Sequence, residues 1–246
     1  MIKGISVIIP VLHEANVINE LIEYLRGLTS PVPVEIIVVD GAGEQDTISA
    51  IRDRDVVKSV SSAGRARQMN VGSKKATHDV FLFLHADTWL PQQAFGLIGE
   101  TMKGGRWDAG AFDLGIDTKR RIFKITEAYV ALRTRITRIP FGDQGIFLTR
   151  SLFERLDGDR DIPLMEDVDL MGRVKKSNGR VRIIPEKVST SARRWEREGV
   201  LYSTVRNMML QVMYAVGVPP ERLKKYYRNE PERKKSRGEL DADERG

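Results

Sequence analysis

The chain of 246 residues predicts an α/β fold with a mainly parallel central sheet and helices on both faces. Three observations carry that reading. The runs Ile36-Ile37-Val38-Val39 and Val80-Phe81-Leu82-Phe83-Leu84 are short, β-branched or aromatic, and do not alternate, as in strands buried on both faces. Segments of helical period separate such runs through the first 105 or so residues, and this alternation favours parallel pairing. Acids close the runs, Asp40 after the first and Asp87 just beyond the second, where ligands of open α/β sheets bind.

Element by element, residues 5–9 read as a strand ended by Pro10. Val17, Ile18, Leu21, Ile22, Leu25 and Leu28 then repeat at helical spacing, giving a helix over 15–28. A second strand follows at 35–39, then a helix from Asp46, its N-cap, to about 52. Residues 56–60 form a shorter third strand, 64–75 a helix with Ala66, Met69 and Asn70 near its inner face, and 80–84 the next strand. A helix over 91–103 stops at Gly104-Gly105. From Arg106 the pattern changes: a strand of small residues at 108–116, a long amphipathic helix over 119–138, and a loop running into a strand at 142–148. Short helices at 152–156 and 168–177, a strand at 181–184 and a helix at 200–215 complete the order. Residues 228–246 are charged with almost no apolar side chains, the composition of a disordered tail.

The absence of cysteine excludes disulfides, thiolate metal sites and cysteine nucleophiles, and fits a reducing, cytoplasmic setting. The first residues enter a strand with no signal-peptide pattern, and no run of about 18 apolar residues predicts a membrane span. A net charge of +6 admits a nucleic acid, a phosphate-bearing substrate or an anionic membrane face as partner, or simply solvated surfaces. Basic residues thicken at 133–138, 173–182, 193–197 and 222–237 without interleaved aromatics, so no nucleic acid is expected. Leu201, Val205, Met208, Met209, Val212, Met213 and Val216 give residues 200–218 a wide apolar face. It suits packing on the domain, a homodimer interface, or peripheral contact with the inner face of a membrane, aided by Arg222, Lys224 and Lys225.

Individual residues carry both a chemical and a structural reading. Glu14, past the first strand, can accept bonds from a base or ribose, or cap the next helix. Asp40, followed by Gly41-Ala42-Gly43, can hold a base edge or form an ordinary turn; no third glycine makes a dinucleotide fingerprint. Asp87 is a hard oxygen ligand of the kind that bridges Mg2+ or Mn2+ to phosphates, with His85 as a second ligand or a pocket wall. Glu166 and Asp167 can supply a general base or complement a helix dipole, and Asp169 suits the dipole role. Arg65, Arg67, Arg193 and Arg194 can bind phosphate, and Trp195 can stack on a sugar or pack in a core. Gly142-Asp143-Gln144-Gly145 is a polar loop suited to an acceptor, or a turn.

The order of these segments is more specific than any one. Ser6–Pro10, Glu14-Ala15-Asn16, Val38-Val39-Asp40-Gly41, Asn70-Val71-Gly72, Leu84-His85-Ala86-Asp87-Thr88 and Met165–Leu170 together resemble the family 2 nucleotide-sugar glycosyltransferases over roughly residues 4–200. The resemblance implies a GT-A fold, Rossmann-like, as a single domain over 1–227, with a nucleotide-binding half at about 1–105 and an acceptor half at about 106–227. It implies that Pro10, Glu14, Asp40, Gly41, Arg65, Ala86 and Asp87 hold the donor nucleotide, of UDP or GDP type. Leu84–Asp87 is similar to the Asp-x-Asp element that binds metal and diphosphate, with His85 in place of the first Asp. Glu166-Asp167 looks like the acceptor-side pair whose Asp is the base of inverting enzymes. Ser191–Trp195 is similar to the Gln-x-x-Arg-Trp element of processive members, with Ser191 in place of Gln, which argues against a polymerising synthase. Gly142, Asp143, Gln144, Arg194 and Trp195 fall on the acceptor and phosphate side.

The implied reaction moves a sugar from a nucleoside-diphosphate donor to an acceptor hydroxyl with inversion, Asp87 holding Mn2+ or Mg2+ and Asp167 taking the proton. The acceptor is unknown, a lipid-linked one being an option. Two rivals stand beside this reading. A nucleotidyl- or phosphoryl-transfer enzyme would also use strand-end acids, but Val11-Leu12-His13 is no phosphate-cradling loop. A basic binding module would have kept the fold and lost the chemistry.

Overall fold

The computed structural model describes residues 2–118, 120, 122–192 and 199–227. The chain runs β1 (Ile5–Val11), α1 (Ile18–Gly27), β2 (Val34–Asp40), α2 (Asp46–Ala50), β3 (Val57–Val60), α3 (Arg65–Lys75), β4 (Val80–Phe83), β5 (Thr88–Trp89) and α4 (Ala94–Met102). It continues through β6 (Ala109–Asp117), α5 (Ile122–Thr137), β7 (Ile146–Thr149), α6 (Arg150–Arg155), α7 (Glu166–Lys176), β8 (Val181–Ser191), α8 (Val200–Ala215) and α9 (Pro220–Lys224).

The sheet order is β3-β2-β1-β4-β7-β6-β8-β5. The first four strands pair in parallel, as the βα alternation predicts. Beyond them the sheet is mixed: β7 runs antiparallel to both β4 and β6, β8 is parallel to β6, and β5 is antiparallel to β8.

Ile5, Val7, Ile9 and Val11 of β1 face one layer, with Leu21 of α1, Phe95 of α4 and Phe123 of α5. Ile8 faces the other, where Ile37, Val39, Phe81 and Phe83 meet Met69 of α3, Phe153 of α6 and Leu170 of α7. Successive strand side chains point to opposite faces, and both faces are covered, so the sequence shows apolar runs instead of alternation.

Several expected boundaries move. Pro10 lies inside β1, opposite Val39 of β2. Its missing N–H falls on the β4 side, where pairing has already stopped at Ile8 and Phe83. Helix α1 begins at Ile18, after a turn in which the Glu14 carbonyl accepts from Val17 and Ile18. Strand β8 continues past Pro185 to Ser191, because a register shift against β6 between Phe112 and Asp113 absorbs the proline. Two-residue β5 and the short α9 leave no periodic signal, and neither was expected. The tail at 228–246 lies outside the described residues.

Candidate active site

The parallel strands β1, β2 and β4 deliver their carboxyl ends side by side. At the end of β2, Asp40 is fully buried. Its Oδ1 accepts from the Ala42 amide at 2.8 Å, and its Oδ2 from Thr47 and Ile48, each at 3.1 Å. The side chain therefore closes the loop onto the start of α2. This corrects two expectations: Asp40 offers no outward carboxylate to a base edge, and it, not Asp46, caps α2. Residue Gln45 occupies the N-cap position without a side-chain bond.

Gln68 of α3 braces the same corner. It is buried, and its Nε2 donates to the Val11 and Val39 carbonyls at 2.7 Å each, tying β1 to β2 where the β1–β4 pairing has ended. Gly41 fits over this amide, since a Cβ there would come 3.0 Å from Gln68 Cδ. Sequence reasoning missed Gln68: a polar residue in an amphipathic helix reads as solvent-facing. The Glu14 amide donates to Thr47 Oγ1 at 2.9 Å, which ties the β1 exit to α2 and leaves the Glu14 side chain half-exposed beside Pro10.

Three acidic or imidazole groups occupy the middle of the site. Asp87 is exposed at the turn after β4, with Ala86 buried beneath it, and its carbonyl accepts from the Ser191 amide at 3.2 Å. Among the described residues its carboxylate takes no hydrogen bond or ion pair, and no group of three or more His, Cys, Asp or Glu side chains gathers to hold a metal. Asp167 is half-buried in the first turn of α7. Its Oδ2 accepts from the Gly142 amide at 2.6 Å and its Oδ1 from the Val168 amide at 2.7 Å. The His85 ring also lies against Gly142, where an added Cβ would meet His85 Nε2 at 2.8 Å and Asp167 Oδ2 at 3.4 Å.

Glu166 differs from its neighbour. It is buried, and Arg65 Nη1 at the start of α3 lies 3.5 Å from its Oε1. Burial, and then the adjacent Asp167 carboxylate, push the Glu166 carboxyl above the usual range against the opposing pull of Arg65. Arg67 points elsewhere, to Asp161 at 2.8 Å. Asp169, expected only to complement the helix dipole, is a buried junction. Arg173 Nε donates to it at 2.6 Å, Arg160 lies at 3.3 Å, and the Tyr214 hydroxyl of α8 donates at 3.1 Å.

The polar loop divides in the same way. Asp143 stays half-buried beside Phe141. Gln144 is fully buried, donating to the Phe112 carbonyl at 2.9 Å and accepting from Thr134 Oγ1 and the Phe141 amide. It is a brace and not an acceptor contact, which corrects that expectation. Arg133 of α5, seen in the sequence only as part of a basic cluster, stacks its guanidinium 3.5 Å over Phe141 and donates to Gln211 of α8. Residues Arg194 and Trp195 lie outside the described residues.

Comparisons with known proteins bear on the family and the fold. The family model described as glycosyl transferase family 2 matches residues 6–147. No curated protein matches. Among solved structures, the mannosyltransferase PcManGT from Pyrobaculum calidifontis, in complex with GDP-Man and Mn2+, is 20% identical with a TM-score of 0.61, covering 76% of this chain and 56% of that one. TarS 1-349 of S. aureus in complex with UDP-GlcNAc is 17% identical with a TM-score of 0.59, covering 76% and 58%. A mycobacterial protein is 17% identical with a TM-score of 0.56, covering 88% and 76%. This chain thus spans a little over half the length of the first two, and the likeness is one of GT-A fold. With the family match over more than half of its length, the chain belongs to glycosyl transferase family 2.

Proposed function

We propose that the protein transfers a sugar from a nucleoside-diphosphate sugar of UDP or GDP type to an acceptor hydroxyl, with inversion at the sugar carbon. The observation that carries the reading is the fixed Asp167 carboxylate: half-buried, held by the Gly142 amide, and set among the carboxyl ends of the parallel strands. In this reading the donor nucleotide lies over the ends of β1 and β2, against Pro10, Glu14 and the loop from Gly41 that Asp40 and Gln68 hold. Its diphosphate approaches Asp87 and Arg65. Asp167 accepts the proton of the acceptor hydroxyl as that oxygen attacks the sugar carbon opposite the departing diphosphate. Glu166 positions Arg65, and the acceptor enters beside Gly142 and Asp143. A lipid-linked alcohol is one acceptor class to test.

The donor set fits a divalent cation only in part. A lone exposed carboxylate suits Mg2+ or Mn2+ shared with phosphate and water, not an all-protein cage. Asp87 would hold such an ion, whose charge would offset that of the diphosphate. His85, packed on Gly142, is the nearest candidate for a second ligand.

A thermal-shift panel of UDP, GDP, ADP and CDP, each with and without Mn2+, tests the donor site. One diphosphate raising the melting temperature only with Mn2+ is the expected result, lost in Asp87→Ala. A shift that ignores metal would move charge neutralisation to Arg65. No shift with any nucleotide would count against the donor site. Free nucleoside diphosphate as product identifies sugar transfer, whereas pyrophosphate would identify nucleotidyl transfer.

A further inference from the structure

Helices α5 and α8 lie side by side. Thr126 meets Thr204 at 3.4 Å and Arg133 meets Gln211 at 2.9 Å. Both contacts advance by seven residues, so the helices run in the same direction, in register over two turns. On α5 the residues one position before these contacts, Ile125 and Leu132, are exposed. On α8 the residues one position after them, Val205 and Val212, are exposed. A step back on one right-handed helix and a step forward on its parallel neighbour turn about 100° to the same side of the pair. The opposite steps reach Glu127 and Thr134 on α5, and Ser203 and Leu210 on α8, all buried. The two helices therefore share one inward face and one outward face.

The outward face is apolar. Ile125 and Ile136 are each 72% exposed, Val212 63% and Val216 75%, with Leu132, Tyr202, Val205 and Met209 among them. Contiguous exposure of this kind marks an interaction surface. The residues recur at spacings of three and four, the pattern an amphipathic helix buries.

Charge selects the occupant. Across both helices and their flanks, residues 122–138 and 199–218, the one acid is Glu127, which is buried against Lys187 at 2.6 Å. The exposed charges of that stretch are basic: Lys124, 3.5 Å from Glu127, Arg135, paired with Asp113 at 2.6 Å, and Arg138. The stretch is net basic, so two copies meeting through this face would gain no charge complementarity. Residues 228–246 contain one leucine and one alanine as aliphatic side chains, too little to cover it. Apolar side chains on a segment with a net basic excess match the acyl boundary and headgroups of an anionic bilayer. No described helix is long and apolar enough to cross a membrane, so the contact lies in the surface.

We propose that the outward face of α5 and α8 docks the protein on an anionic phospholipid bilayer. A small cavity in the seam between the helices is lined by Tyr129, Met208, Asn207 and Gln211 together with Phe141 and Asp143, the neighbours of Gly142. The docking surface is independent of the sugar-transfer reading, since binding to lipid is read without donor or acceptor.

The test is flotation of the full chain with vesicles of phosphatidylcholine, with and without phosphatidylglycerol. The protein is expected to float with the mixed vesicles, to be released by high salt, and to stay behind with phosphatidylcholine alone. Leu132→Glu with Val212→Glu is expected to weaken binding about tenfold or more. Should circular dichroism show that this pair unfolds, Ile125→Gln with Val216→Gln removes the same apolar contact without charge. Lys124→Glu with Arg138→Glu is expected to remove the preference for the anionic lipid. Failure to float with the mixed vesicles overturns the proposal, as does flotation that both apolar pairs leave unchanged. A dimer in analytical ultracentrifugation that these variants disperse, with no vesicle binding, would assign the face to a second copy instead.

Discussion

The Gly142 amide donates a 2.6 Å hydrogen bond to Oδ2 of Asp167, joining the loop after α5 to the first turn of α7. With Oδ1 engaged by the Val168 amide, the carboxylate is fixed in orientation while remaining half-exposed. In the proposed reading this fixes the base, which lowers the entropy cost of reaching the transition state. It also makes the carboxylate separable from donor binding, because its partners lie outside the loops that Asp40 and Gln68 organise.

Asp167→Asn should therefore lower kcat by roughly 10²–10⁴-fold, the range for loss of a general base. The amide oxygen can still accept from Gly142, whereas the Val168 amide loses its acceptor, so stability should fall by about 0.5–1.5 kcal/mol while nucleotide affinity changes little. Parallel measurement of turnover and of nucleoside-diphosphate binding by calorimetry checks this. Equal loss of both would mean that Asp167 holds the donor and is not the base.

Gly142→Ala addresses the same contact from the other side. Its Cβ would press on the His85 ring at 2.8 Å and approach Asp167 Oδ2 at 3.4 Å. Overpacking of this sort costs about 1–3 kcal/mol. The imidazole must swing away, so activity should fall together with the melting temperature. Combining Gly142→Ala with His85→Ala should restore the melting temperature but not the activity. A double variant as unstable as the sum of the two singles would show that the clash lies elsewhere.

Gln68→Leu keeps the volume and removes two donors. The Val11 and Val39 carbonyls, each 2.7 Å from Gln68 Nε2, would lose that partner at the junction of two strand ends. The Val11 carbonyl keeps the Gly41 amide at 3.0 Å, so the loss is that of buried hydrogen bonds, about 0.5–1.5 kcal/mol each. Lower stability in chemical denaturation and weaker nucleotide binding should appear together, since in the proposed reading these strand ends carry the donor loops. Loss of stability with unaltered nucleotide affinity would separate the brace from the donor site.

The sequence made the strand ends legible because strands buried on both faces are continuous apolar runs, and their acids stand out where the runs stop. It also brought together His85, Asp87, Gly142, Glu166 and Asp167 as candidates. It could not show what each polar group turns toward. Asp40 and Gln144 look like ligand-binding residues in a string of letters, yet Asp40 is taken up by amides of the loop and helix that follow it, and Gln144 by Phe112, Thr134 and Phe141, contacts across the fold that leave no periodicity. Gln68 was hidden for the converse reason, a polar side chain on a helix face that meets strand ends instead of water. The outward face of α5 was equally hidden, because helical period reports an apolar stripe without saying whether the stripe is covered.

Asp159 supplies a prediction in pH. Asn70 clamps its backbone, accepting from the Asp159 amide at 2.9 Å and donating to its carbonyl at 2.7 Å. The carboxyl is thereby buried, and neither oxygen has a hydrogen-bond partner among the described residues. Burial above all, then the Glu166 charge, raise its pKa well above the ordinary 3.8, despite the opposing pull of Arg173. A carboxyl with a raised folded-state pKa contributes its full stability below the unfolded value and loses it as pH rises toward the folded one. Asp159→Asn keeps the shape and cannot ionise. Its melting temperature should match that of the parent near pH 3.8 and exceed it progressively at higher pH, levelling off above the folded pKa. Melting curves of both proteins across that range check the prediction. A difference that stays constant with pH would mean that the Asp159 carboxyl is ionised in the folded protein and has a counter-charge.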